Sequence, residues 1–195
     1  MLAALEHAES SLGLGLALDE VLFPVMRLIG TWWLREPFET DTERLATEVA
    51  RRWLETVSAA APSPAEVAPV VLACGPGDRH TMGQEALAAL LRLHRQPVRL
   101  LSARTVSWMI PNAVRASGAD AVVVVSHLYA HHLAATQSLV AAHAMGVDVF
   151  YAGEAFASER ERRDIPGRYL GASLIAASTM ILTRATSGRA RRPTS

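Results

Sequence analysis

The chain has 195 residues, half of them hydrophobic and 19% charged, with Lys+Arg and Asp+Glu balanced at 19 each. Such a composition calls for a packed core in one domain, or a domain with a smaller cap, and argues against both a disordered chain and a strong overall field for nucleic acid. The single cysteine, Cys74, excludes an intramolecular disulfide and a Cys-rich zinc site.

The N-terminus lacks the basic start and long apolar run of a secretory signal, and no apolar stretch of about 18 residues marks a membrane span. The expectation is a cytoplasmic protein that makes no membrane contact. From the start, Val21, Leu22, Val25, Leu28 and Ile29 recur at helical spacing, and Leu45, Val49, Trp53 and Val57 do so again. Pro37 breaks the first run, and Thr40 or Asp41 could cap the second helix. Residues 1–58 are thus expected to form a helical bundle cap, followed by an Ala/Pro/Ser linker over 59–66.

Beyond the linker the pattern changes. Residues 67–74, 98–101, 121–126 and 147–151 are short Val-rich apolar runs, each followed by a helical stretch. Runs of this kind suit strands buried on both faces, and their alternation with helices predicts a parallel sheet with right-handed crossovers. A last short strand near Tyr169-Leu170 and a helix from about Ala172 complete an α/β domain over 67–187, a doubly wound five-stranded parallel sheet of flavodoxin-like type. Ligands in that architecture sit at the carboxyl ends of the strands, at a topological switch point. The residues from 188 to 195, with Arg189, Arg191 and Arg192 among Gly, Pro, Thr and Ser, read as a disordered tail.

The first strand runs into Cys74-Gly75-Pro76-Gly77-Asp78-Arg79-His80-Thr81-Met82-Gly83. Glycines at a strand-to-helix turn can cradle phosphate, but the spacing fits neither G-x-G-x-x-G nor the P-loop. Asp78-x-His80-x-x-Gly83 is the informative part. A carboxylate two residues from an imidazole can accept one ring N–H, fix the tautomer and raise the basicity of the other nitrogen as a metal ligand. Gly83 leaves room for a bulky group near the backbone. Ser126 ends a strand without a Gly-x-Ser-x-Gly elbow, so a hydrolase reading is weak, and Cys74 reads as core.

Asp-x-His-x-x-Gly after the first strand, with Ser126-His127-Leu128 at the third strand's end and Ala152-Gly153 after the fourth, resembles the base-off, histidine-on cobalamin-binding domains. The resemblance implies His80 as the cobalt ligand, replacing the cofactor's own dimethylbenzimidazole. It also implies a slot for the nucleotide tail lined by Gly83, Ser126, Leu128 and Gly153. Ala152 stands where that family has the first of two glycines.

In the helical segment, Trp33 and Glu43 match the spacing of the Trp-x9-Glu-His motif of the CarH-type cobalamin photoreceptors. The resemblance, over about residues 16–187, implies adenosylcobalamin, with Trp33 over the upper ligand and Glu43 touching it. Light would then break the cobalt–carbon bond and shift the bundle. Arg44 departs from the family's His, and arginine has no lone pair for cobalt.

His127, His131 and His132 crowd one stretch, which could bind a metal, solvate the loop or line a second chromophore pocket. The last option resembles the photocobilins and implies a bilin such as biliverdin, its propionates pairing with Arg44, Arg79 or these histidines. A non-enzymatic light sensor is the leading expectation. It lacks a DNA-binding domain, makes no direct nucleic-acid contact, and signals through a homo-oligomer or a partner signalling protein. The alternative is a corrinoid methyl carrier of a methyltransferase system.

Overall fold

The computed structural model describes the backbone of residues 1–33, 40–59, 64 and 66–189, and the side chains of these except 30–33, 40, 42 and 185–189. The chain divides into two compact units, Met1–Ala61 and Pro62–Ser195.

The first unit is helical. Helix α1 (Leu2–Leu12) ends at Gly13, whose φ of 80° is a conformation that glycine adopts at little cost. A short α2 (Leu14–Leu16), a π-helical stretch (Ala17–Leu22) and α3 (Phe23–Trp33) follow without a break, and α4 (Thr40–Ala59) completes the unit. Leu5, Leu18, Leu22, Ala50 and Trp53 are buried. The Trp53 indole N–H donates to Glu9 Oε2 at 2.8 Å, tying α4 to α1. The apolar stripes differ from the periodicity expected: Leu28 is 55% and Leu45 66% exposed, while α4 buries Ala46, Ala50, Trp53 and Leu54. The small alanines on that face allow neighbouring backbones to approach, so packing turns the helix toward them rather than toward Leu45. Pro37 lies outside the described residues.

The second unit is a five-stranded parallel sheet with strand order β2-β1-β3-β4-β5. The strands are β1 (Val70–Cys74), β2 (Val98–Leu100), β3 (Ala121–Val125), β4 (Asp148–Ala152) and β5 (Arg168–Tyr169). Helices α5 (Met82–Leu93), α6 (Met109–Ser117), α7 (His132–His143) and α8 (Leu174–Arg189) alternate with them. Every residue of β1 and β3 is buried. Their side chains alternate between two cores, as strand geometry requires. Val71, Val122, Val124 and Tyr151 pack with Ile110 and Val114 of α6 and Leu139 of α7. Val70, Leu72, Val123 and Phe150 pack with Leu87 and Leu91 of α5 and Ile181 of α8. The sheet is therefore covered on both faces, the doubly wound α/β arrangement that the Val-rich runs predict.

Two edges differ from expectation. Strand β1 starts at Val70 rather than at residue 67, because Pro69 has no N–H for a ladder. Helix α8 starts at Leu174 rather than Ala172. The Ser173 hydroxyl accepts the Ala176 N–H at 3.2 Å and its carbonyl accepts the Ala177 N–H, which makes Ser173 the cap. At the other end of the sheet the buried Arg184 donates to Asp120 Oδ1 at 2.6 Å and to the Ile181 carbonyl, fastening α8 beside the start of β3. Among the described residues no helix is long and apolar enough to cross a membrane.

Candidate functional site

Chain order reverses between β1 and β3, which run side by side with Cys74 opposite Val125. At such a switch point the loops leaving the two strands diverge and open a crevice at their carboxyl ends. Those loops carry Asp78 and His80 on one side and Ser126 and His127 on the other.

The first loop is held by backbone bonds. The Gly75 N–H donates to the Val125 carbonyl at 2.8 Å, and the Asp78 N–H to the Gly75 carbonyl at 2.9 Å. Gly77, with φ of 85°, makes the turn. The loop after β2 braces it: the Gly77 N–H reaches the Thr105 carbonyl and the Arg104 N–H the Asp78 carbonyl.

Asp78 is the centre of the arrangement and is fully buried. Its Oδ1 accepts the His80 backbone N–H at 3.0 Å and lies 2.7 Å from His80 Nδ1, while Oδ2 accepts the His127 backbone N–H at 2.7 Å. Burial pushes the carboxyl upward, but the N–H groups of His127 and His80 and the His80 ring outweigh it and hold the pKa down at about 2. Asp78 is thus ionised at neutral pH and can only accept, so His80 Nδ1 must carry the proton. In the neutral ring with that tautomer, Nε2 keeps the lone pair. The His80 side chain is 57% exposed, so that lone pair belongs to an accessible ring on a buried, charged support. An imidazole held in this way could serve as a metal ligand.

Ser126 is completely buried and its Oγ has no hydrogen-bond partner in the structure. It packs on Gly75, where a Cβ would stand 2.8 Å from that Oγ. Gly153 must be glycine: its φ is 103° and a Cβ would fall 2.1 Å from the Ser126 carbonyl oxygen. The Ser126 N–H donates to the Ala152 carbonyl, so Ala152 serves the ladder through its backbone. At Gly83, in the first turn of α5, a Cβ would meet only His127 Nε2, at 3.8 Å.

The three clustered histidines diverge. The His127 ring packs edge-on to His80 with centroids 5.6 Å apart, and burial lowers its pKa. His131 lies over Gly77, and His132 Nε2 bonds the Glu161 carbonyl at 2.8 Å while stacking on Tyr129. No group of three His, Cys, Asp or Glu among the described residues is arranged to hold a metal ion. Arg79 is exposed, as is Leu128. Burial, with Asp78 and Glu85 adding to it, pushes the Cys74 thiol up to about 12. A cavity of about 260 Å³ between His143, Asp148, Gly167 and Arg168 shares no residue with this cluster.

In the helical unit, Trp33 is the last residue of α3, and its side chain lies outside the described residues. Glu43 is half-exposed and Arg44 exposed in the first turns of α4. Three features escape a reading of sequence: the His127 backbone N–H as an Asp78 partner, the Thr105 loop brace, and the contact of His127 with His80. Each joins segments far apart in the chain, the first two through backbone groups that any residue type could supply and the third through two rings that only the fold brings together.

No protein-family model matches the chain, and no curated protein matches it. Solved structures of the same fold do. The monomethylamine corrinoid protein of Methanosarcina barkeri aligns with a TM-score of 0.68 at 13% identity, covering 92% of this chain and 88% of that one. A cobalamin-binding protein from Desulfitobacterium hafniense DCB-2 aligns at 0.55 and 20% identity, covering 94% and 98%. The methanol:cobalamin methyltransferase complex MtaBC of Methanosarcina barkeri aligns at 0.56 and 15% identity, covering 100% and 79%.

Proposed function

We propose that the chain binds a corrinoid, cobalamin in the first instance, with His80 Nε2 as the lower ligand to cobalt, and works as a corrinoid carrier in methyl transfer. The observation that carries this reading is the Asp78–His80 pair at the β1/β3 switch point. A buried carboxylate fixes the tautomer and an exposed imidazole presents its free nitrogen. The rest of the cluster fits a cofactor with a nucleotide tail. Ser126 has an unpartnered buried hydroxyl, Gly83 presents no side chain, and Gly153 lets the fourth strand's loop close against Ser126.

When bound, the cobalt supplies a centre that accepts and hands on a one-carbon group. His80 would hold it, Asp78 orient and polarise the ring, and Ser126, Gly83, Leu128 and Gly153 accommodate the tail. The carrier reading is favoured over the sensor reading because two of the solved neighbours are, by their names, a corrinoid protein and a methyltransferase complex. A methyltransferase subunit is then the expected partner.

The Trp33-to-Glu43 spacing supports a second reading, a light sensor holding adenosylcobalamin, with biliverdin as an added chromophore beside Arg79, His131 and His132. One experiment addresses both. Purified protein is mixed with hydroxocobalamin or adenosylcobalamin, passed through gel filtration, and its spectrum and mass are recorded before and after illumination. Co-elution of the corrinoid supports the proposal. An adenosyl complex whose mass is unchanged by light favours the carrier, and a light-driven change in association favours the sensor. Failure to retain any corrinoid overturns both. Absence of a red band with biliverdin removes the bilin.

A further inference from the structure

The segment that carries Asp78 and His80 is tied at both ends to one short stretch, residues 101–105, just after β2. At its near end the Gly77 N–H donates to the Thr105 carbonyl at 3.3 Å, and Asp78 accepts the Arg104 N–H on its carbonyl at 3.2 Å. At its far end Gln84 Nε2 donates to the Leu101 carbonyl at 3.0 Å. Two buried polar side chains, Thr105 and Gln84, fix these ties. Thr105 Oγ1 donates to the Ser102 carbonyl at 2.7 Å, which closes the loop on itself and sets the Thr105 and Arg104 backbone for Gly77 and Asp78. Gln84 stands three residues after Thr81, the spacing at which a glutamine reaches back to cap its own helix. Here it does not. Its Oε1 has no partner among the described residues, and its amide nitrogen goes across to Leu101 instead. An amide buried with one half unmatched costs stability, so what Gln84 supplies is position.

Resting on the corrinoid reading above, we infer that Gln84 and Thr105 are positioning residues for the His80 ligand: they clamp residues 77–84 to residues 101–105, one at each end, and so hold the His80 ring where Asp78 fixes its proton on Nδ1. Both act through the backbone. One oxygen of Asp78 receives the His80 backbone N–H and faces the His80 ring as well, a double contact that needs the loop in one conformation. The ring is 57% exposed, so a loop freed at either end lets it turn to solvent. Its proton then goes to the nitrogen that water favours, since the partner of one ring nitrogen decides which of the two is protonated.

The test reads the tautomer of His80 by NMR in the cofactor-free full chain labelled with ¹⁵N-histidine, at about pH 9, where an ordinary imidazole is neutral. The His80→Ala spectrum assigns the signal. The wild type should show the Nδ1–H form. Thr105→Val, which keeps the shape and loses the hydroxyl, and Gln84→Leu, which loses the amide, should both gain the Nε2–H form. Thr105→Ser keeps the donor and should match the wild type. The ring is read in folded protein, so a loss of stability alone does not move it. Should either variant fail to fold by circular dichroism, Thr105→Ala and Gln84→Met take their places with the same expectation. Hydroxocobalamin should bind Thr105→Val and Gln84→Leu about three- to tenfold more weakly, a smaller effect than removing the carboxylate that supports the ligand. A wild-type tautomer in either variant overturns the clamp and leaves the cofactor reading intact. A wild-type chain that retains no corrinoid overturns the cofactor reading, and the tautomer, read without cofactor, still decides the clamp.

Discussion

Asp78 Oδ1 lies 2.7 Å from His80 Nδ1, and the same carboxylate spends its other oxygen on the backbone of His127. One buried charge thus joins the β1 and β3 loops and sets the proton position on the exposed imidazole. Asp78→Asn should separate these roles. An amide offers one oxygen where the carboxylate offers two, so one of the three N–H groups around it loses its acceptor. The expected cost is about 1–3 kcal/mol of unfolding free energy, read from urea denaturation. Corrinoid affinity should fall about 10- to 100-fold, as when the support of a metal-ligating histidine is removed.

The same carboxylate makes a pH prediction. Its pKa is lowered from the ordinary 3.8 to about 2, so its contribution to stability is present above the unfolded value and lost as pH falls toward the folded one. The wild type should therefore lose on the order of 2 kcal/mol between about pH 4 and pH 2 from this group, and Asp78→Asn should lack that increment. Paired denaturation curves across this range check it. Parallel curves for the two proteins would count against the depressed carboxyl.

Gly153 and Gly118 give a matched contrast. Both have positive φ, but a Cβ on Gly153 would overlap the Ser126 carbonyl whereas Gly118 faces open space. Gly118→Ala should cost about 1–2 kcal/mol from backbone strain alone. Gly153→Ala should cost clearly more, with a lower Tm and loss of the Ser126 environment, because backbone must move as well. Equal Tm values for the two variants would contradict the close approach.

Cys74 should be inert. The thiol is buried and its pKa stands near 12, so almost none is thiolate at pH 8. Mass spectrometry should find no alkylation by iodoacetamide in the native protein and full alkylation in urea. Rapid labelling of the folded chain would place the thiol outside the core described for β1.

What the sequence made legible follows from where the constraint is local. Val70–Cys74 and Ala121–Val125 are buried on both faces, so nearly every position must be apolar and the strands announce themselves. Asp78 and His80 are two residues apart, so their pairing is visible in one dimension. The two-residue β5 is set chiefly by its place beside β4, and its strand signal is correspondingly short. Leu28 in α3 and Leu45 in α4 fit helical stripes yet are exposed, and α4 instead buries the face that carries Ala46, Ala50, Trp53 and Leu54. The His127 N–H bridges 49 residues of chain to Asp78, and a backbone donor leaves no trace in residue type.

The central claim is that His80 supplies the nitrogen beneath cobalt. Electron paramagnetic resonance of the cob(II)alamin complex tests it most directly, using protein labelled with ¹⁵N-histidine and unlabelled cofactor. Coordination by His80 predicts that the nitrogen splitting changes from a triplet to a doublet on labelling and vanishes in His80→Ala. A triplet that persists in the labelled protein would mean the cofactor keeps its own base, and would contradict the account.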